Sequence, residues 1–323
     1  MFTLGRGRPD PDAHWIRVHR VAMACRFEVL LDGGDAAHVD AARAALDEAD
    51  RLEAALTVFR DTSEVSRVNR EAGEGPVAVD GHLFTLLARC QDLHARTGGA
   101  FDITSTPLSR CWGFLKREGR LPAAEAIEAA RGRVGMTGVA LDAAARTVRF
   151  HRPGMELNLG SIGKGHALDR MAALMRDRGV SRALLSAGAS SVVALGGRGM
   201  GWEIDIRSRQ VEKDRLARLV LEDGALATSG AGEQFFEVEG RRYGHVIDPR
   251  TGWPAAGVLS VSVVTAEAAV SDALSTAFLV GGLDLARPYC AAHRETLVLV
   301  TPDDGTERPV VLGAFAGARL EVA

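Results

Sequence analysis

Val258-Leu259-Ser260-Val261-Ser262-Val263-Val264-Thr265, followed closely by Ala269-Val270-Ser271-Asp272-Ala273-Leu274-Ser275-Thr276-Ala277-Phe278, decides the fold class. The valine-rich first part has clear β character. The second, rich in Ala and Leu, reads as a buried helix over 267–280. Working outward, the chain from Val139 on is mostly short strands, interrupted by one other helix near 165–178. Upstream, strand-like alternation over 21–31 leads into an amphipathic helix over 35–56, in which Val39, Ala42, Leu46, Ala49, Leu52 and Leu56 keep helical spacing. A further helix runs from Asp80, a good N-cap, to Thr97 and stops at Gly98-Gly99. This mixture lacks the regular strand-helix alternation of a doubly wound sheet. It predicts an α+β fold, mixed sheets with packed helices, as one unit of two intimately packed subdomains with a cleft between them. There is no internal repeat or low-complexity linker, and the Ala-rich stretch 122–145 is expected to be the most mobile or insertion-tolerant region.

With 323 residues the chain can bury a sizeable core. Lys plus Arg total 39 against 42 Asp plus Glu, a net charge of -3, which argues against a strong electrostatic attraction to nucleic acid. No run approaches the ~20 apolar residues of a bilayer span. Residues 1–16 read as an N-terminal tail. Met1 to Trp15 has no apolar h-region and no small-residue cleavage site, so the expectation is a cytoplasmic protein, or one whose export signal has been removed. The cysteines, Cys25, Cys90, Cys111 and Cys290, are scattered without a CxxC pair, which disfavours zinc and suits reduced core residues.

Three segments carry candidate chemistry. Gly244-His245-Val246-Ile247-Asp248-Pro249-Arg250-Thr251-Gly252 is a strand-to-turn junction bearing an imidazole, a carboxylate and a guanidinium. A surface turn with incidental polar residues would look the same. Asp272 and Thr276 lie four apart, on one helix face with Ser275 beside them. A carboxylate on an apolar helix calls for a partner or a metal, and hard oxygen ligands suit Mg2+, although Asp, Ser and Thr also serve as caps. Leu157-Asn158-Leu159-Gly160-Ser161-Ile162-Gly163-Lys164-Gly165-His166 is a Gly-rich turn between an apparent strand and a helix, a favourable place for phosphate and equally a plain tight turn. Its glycine spacing, and Gly165 after Lys164, exclude a P-loop.

Taken in order, these segments resemble the FAD:protein FMN transferase, or ApbE, family. The likeness begins at Met23-Ala24-Cys25-Arg26-Phe27 and continues through Ser63-Glu64-Val65-Ser66-Arg67-Val68-Asn69 and Thr97-Gly98-Gly99-Ala100-Phe101-Asp102-Ile103-Thr104. It then takes in Leu159 to Gly165, Thr228-Ser229-Gly230, the block from His245 and Asp272-Ala273-Leu274-Ser275-Thr276. Ala24 and Cys25 depart from the family's usual Gly-Thr, and Asn158 stands where Asp is common, keeping the size but not the charge. Ser186-Ala187-Gly188-Ala189-Ser190-Ser191 stands in place of a glycine-richer loop.

The resemblance implies a catalytic domain over 17–323. It also implies a reaction in which a threonine hydroxyl of an acceptor flavoprotein attacks the FMN-side phosphate of FAD, AMP leaves, and FMN stays attached as a phosphoester. The acceptor would present its Thr in an Asp/Ser-Gly-x-x-Ser/Thr-Thr sequence. By the same resemblance, Asp272, Ser275, Thr276 and Ser161 would hold Mg2+. Met23, Phe59, Ala100, Phe101, Asp102, Asn158, Lys164 and Val246 would bind FAD. His245 is the candidate general base, since an unperturbed imidazole titrates near neutrality, with Asp248 close enough in sequence to help orient it. The rivals are a metal-dependent FAD pyrophosphatase, a non-enzymatic FAD-binding protein, and a chain that itself carries covalent FMN. The last is weakened because this sequence has no such acceptor motif.

Overall fold

Alternating apolar side chains build the centre of the molecule, in a computed structural model that describes residues 2–4, 14–197, 201–207, 215–232, 234–306 and 308–323. The chain opens with strands β1 (Phe2–Leu4), β2 (Trp15–Ala22) and β3 (Cys25–Asp32), then helices α1 (Val39–Leu56) and α2 (Glu64–Glu71). Next come β4 (Val77–Ala78), α3 (Gly81–Arg96), α4 (Thr106–Cys111), α5 (Ala124–Arg131), β5 (Val139–Asp142), β6 (Thr147–Phe150) and α6 (Gly163–Asp177). Strands then dominate: β7 (Ala183–Ala187), β8 (Ser191–Leu195), β9 (Trp202–Arg207), β10 (Arg215–Leu221), β11 (Gly224–Gly230), β12 (Phe235–Val238), β13 (Arg241–Gly244) and β14 (Val258–Thr265). Helix α7 (Ala268–Ala292) and strands β15 (Leu297–Pro302), β16 (Val310–Gly313) and β17 (Ala318–Val322) complete the chain.

The fold is α+β, as its sequence predicts. An eight-stranded sheet in the order β16-β15-β14-β11-β8-β7-β3-β2 is the middle of three layers. Successive side chains of a strand point to opposite faces. Phe27, Val29, Leu31, Val261, Val263, Val298 and Val300 share the principal core with Leu46 of α1, Leu168 of α6 and Leu274 and Phe278 of α7. On the other face Leu30, Val192, Leu226, Val264 and Leu299 meet Trp202, Ile204, Leu219 and Leu221 of a four-stranded sheet, β1-β9-β10-β17. Full burial of each such side chain is worth roughly 1.5–3 kcal/mol, so the two-sided packing fixes the register of the central strands. A third cluster joins Leu108, Trp112, Phe114, Ile127, Tyr243 and Ile247, and seats the β12–β13 hairpin on α4 and α5.

Several local expectations need correcting. The alternation over 21–31 is a hairpin, because Met23 (φ 48°) and Ala24 (φ 56°) turn the chain between β2 and β3. Turns with both central residues at positive φ are normally signalled by Asn-Gly, a signal that Met-Ala lacks. The first residues of the helix expected over 35–56 form a 3-10 turn, Gly33–His38. The apolar run before Gly160 joins no sheet. The stretch 122–145 is not a loose segment. It contains α5 and β5, with Ile127, Ala130, Val134, Met136 and Val139 buried. Helix α7 continues past Gly282, where φ of 59° kinks it, and reaches the length and apolarity of a membrane span. More than half of its apolar window is buried inside the fold. Of the expected tail 1–16, residues 1 and 5–13 lie outside the described residues, while Phe2–Leu4 pairs with β9 and Trp15 opens β2.

Candidate active site

The loop after α3 forms the first wall of a cleft. Thr97 Oγ1 donates to the Leu93 carbonyl (2.7 Å) and accepts from the Phe101 amide (3.2 Å). Asp102, 6% exposed, organises the rest. Its Oδ1 accepts from the Thr104 amide (2.8 Å) and hydroxyl (2.6 Å), and its Oδ2 lies 3.2 Å from His94 Nδ1. That bond to Asp102 is the main reason the His94 pKa is raised. Ala100 and Asp102 thereby reach the cleft, whereas Phe101 is buried in the principal core, 1% exposed, and stands off the wall.

The second wall is the segment 157–162 that runs into α6. Asn69 of α2 clasps it, accepting from the Leu157 amide (2.7 Å) and donating to the Leu157 carbonyl (2.9 Å). Asn158 donates its amide to the Ile103 carbonyl (2.8 Å), and its Oδ1 accepts from the Gly160 amide (2.9 Å). An aspartate could shape the same turn, so Asn158 preserves the turn while dropping a charge. Ser161 and Lys164 follow on the lining.

Helices α6 and α7 cap one another across this wall. Asp272 of α7 accepts the Gly165 amide at 3.0 Å, at the N-terminus of α6. In return Asp169 of α6 accepts the Ala268 (2.7 Å) and Ala269 (2.9 Å) amides at the N-terminus of α7. Carboxylates at helix N-termini satisfy orphan amides and suit the dipole. Burial nevertheless pushes the Asp169 carboxyl up to about 6. Gly165 is required at the crossing, because a Cβ there would run into the Ala268 carbonyl oxygen. The anion taken by the Gly165 amide is therefore the Asp272 carboxylate.

Asp272 and Thr276 line the cleft with Ser161. Ser275 is fully buried behind them, donating to the Asp272 carbonyl (2.9 Å) and bonded to Ser229 (2.7 Å). Among the described residues no cluster of three or more His, Cys, Asp or Glu could hold a metal. One carboxylate among neutral oxygens is a poor zinc site but fits Mg2+, which keeps several waters and shares its shell with substrate phosphates.

His245 follows β13. Its Nδ1 lies 3.2 Å from the Gln234 carbonyl, which also accepts the His245 amide at 2.9 Å. A carbonyl only accepts, so Nδ1 carries the proton in the neutral ring and Nε2 is the basic nitrogen. The expectation that Asp248 orients this ring is corrected. Asp248 is held by Arg250, with Nε and Nη2 each at 2.9 Å, and it closes the turn that follows. Val246 lies on the same wall.

Together these segments enclose about 450 Å3, within the range of small-molecule sites. An adjoining hollow of about 210 Å3 shares Phe59, Asn158, Gly160 and Lys164 with the cleft and adds Met23. Phe59, 78% exposed, stands between the two spaces. Residue types alone did not single out Thr106, Ser190 or Gln234, which also line the cleft. Gln234 acts on His245 through its backbone, which leaves no trace in residue identity.

The model of the ApbE family matches residues 22–300. A relative from Klebsiella pneumoniae (strain 342), FAD:protein FMN transferase, is 32% identical over 276 residues, 82% of this chain and 78% of that protein. Its namesake from Treponema pallidum (strain Nichols) is 34% identical over 260 residues, 75% and 71% of the two chains. The crystal structure of the ApbE protein of Thermotoga maritima MSB8 superposes with a TM-score of 0.83 at 28% identity, covering 93% of this chain and 97% of that one. The apo flavinyl transferase ApbE of Pseudomonas stutzeri does so with a TM-score of 0.80 at 26% identity, covering 93% and 94%. With the family match spanning most of the sequence and the fold shared almost end to end, this chain belongs to the ApbE family of flavin transferases.

Proposed function

We propose that this protein transfers FMN from FAD to a threonine hydroxyl of an acceptor flavoprotein, with Mg2+ as the metal. In this reaction the threonine oxygen forms a bond to the FMN-side phosphorus, the bridging P–O bond breaks, AMP leaves with the bridging oxygen, and the hydroxyl proton passes to His245 Nε2. The observation that carries the reading is the convergence of Lys164, Asp272 and His245 on one cleft, with the His245 tautomer set by the Gln234 carbonyl. Lys164 would offset pyrophosphate charge, and His245 would accept the proton of the attacking hydroxyl. Asp272, with Thr276 and Ser161, would hold Mg2+, which when bound withdraws charge from phosphate oxygens.

Hydrolysis of FAD to FMN and AMP would use the same groups with water as nucleophile. Transfer is favoured by a second groove of about 410 Å3, lined in part by Gly119, Phe235 and Phe236 and sharing Phe114, Arg117, Gln234 and His245 with the cleft. It offers an acceptor segment a route to the imidazole without displacing FAD. The test is mass spectrometry after incubation with FAD, Mg2+ and a peptide carrying Asp-Gly-x-x-Ser-Thr. The expected products are the FMN-modified peptide and AMP, with no modification when the Thr is Val or when the metal is chelated. FMN and AMP without peptide modification would establish the hydrolytic reading instead.

A further inference from the structure

The loop from Thr97 to Thr106 satisfies its buried hydroxyls in both directions, with one exception. Thr97 Oγ1 gives and takes a hydrogen bond, as described. Thr104 Oγ1 donates to Asp102 (2.6 Å) and accepts from the Gly135 amide (2.7 Å). Across the cleft, Thr228 and Ser262 share a bond of 2.8 Å. Thr106, 3% exposed, lines the cleft, yet its Oγ1 has no hydrogen-bond partner among the described residues. Among the described residues, the other buried side-chain atoms without a hydrogen-bond partner, Ser191 Oγ and Glu203 Oε2, belong to residues outside the cleft lining, and the latter faces Arg218 at 3.8 Å. A buried hydroxyl without a partner is costly, and valine would fill the same volume without that cost. Thr106 is also the first residue of α4, whose N-terminus has no side-chain cap, so capping does not account for the hydroxyl.

We propose that the Thr106 hydroxyl is a contact for the donor nucleotide, hydrogen-bonding a polar atom of FAD once FAD fills the cleft. The inference rests on the flavin-transferase reading and adds to it a specificity-determining residue. A hydroxyl both donates and accepts, so it can read either kind of edge on the ligand. A site built to satisfy a polar atom discriminates when that partner is removed, because the atom is then buried unpaired.

Isothermal titration with FAD and thermal unfolding without it, on the parent, Thr106→Val and Thr106→Ser, test the proposal. Thr106→Val should bind FAD roughly tenfold more weakly, while its ligand-free midpoint equals or exceeds the parent's. Thr106→Ser should bind within about threefold of the parent. Thr106→Val with parental FAD affinity would overturn the proposal. A ligand-free midpoint lowered in Thr106→Val, up to failure to fold, would overturn it too if Thr106→Ala binds FAD as the parent does, by showing that the hydroxyl serves the fold and not the ligand. A parent that does not bind FAD would defeat the flavin-transferase reading itself, a result distinct from equal binding by parent and variant.

Discussion

His245 has its backbone and ring tied to one carbonyl, that of Gln234, so its basic nitrogen is chosen by main-chain geometry. His245→Asn should therefore keep FAD affinity and lose roughly 100- to 10,000-fold in transfer rate, the usual worth of general-base help. Flavin fluorescence on the acceptor in a gel reads this directly, and a near-parental rate would make the histidine structural. Asp272 needs a different substitution. Alanine there would strip the Gly165 amide of its acceptor as well as removing the charge, whereas asparagine keeps an oxygen for that amide. Asp272→Asn should unfold within a few degrees of the parent yet lose Mg2+-dependent transfer. Full activity of this variant at low Mg2+ would remove the metal assignment.

At the scale of elements, the crossing of α6 and α7 carries two predictions. Gly165→Ala places a methyl against the Ala268 carbonyl, and overpacking of this kind costs about 1–3 kcal/mol. Urea unfolding should show that loss, with transfer reduced further if Asp272 is moved. Asp169 gives a pH signature. Its folded pKa, about 6, lies above the ordinary carboxylate value, so the native state holds the proton more tightly than the unfolded chain does. Its contribution to stability is complete below the ordinary value, near pH 4, and is lost as pH rises through about 6. Asp169→Asn should flatten that part of the stability profile, and an unchanged slope between pH 4 and 6 would show that Asp169 is not its source. Helices α1, α3, α6 and the first half of α7 were legible in sequence, Asp80 as the cap of α3 included, whereas α2, α4 and α5 were not. The pairing of caps between α6 and α7 was not, because each carboxylate serves amides about a hundred positions away.

Across the whole molecule, the α+β class could be read because strands and helices do not alternate regularly and the inner strands of the central sheet, buried on both faces, are apolar. The layer order could not be read, since antiparallel neighbours such as β3 and β7 are joined through most of the helical region. The residues that converge on the cleft were recognisable as ordered motifs, but their separate tasks were not. Phe101 serves the core, Asn69 clasps the second wall, and Asp248 closes a turn. The mutual caps also bear on when the cleft exists. Neither helix start is complete without the other, so the carboxylate at the cleft wall is placed only after chain segments far apart in synthesis have met. Amide hydrogen exchange should report this: the Gly165, Ala268 and Ala269 protons should exchange at one common slow rate set by cooperative opening. A partial chain released before residue 268 would have no cleft to offer a flavin, which ties flavin capture to completion of the polypeptide.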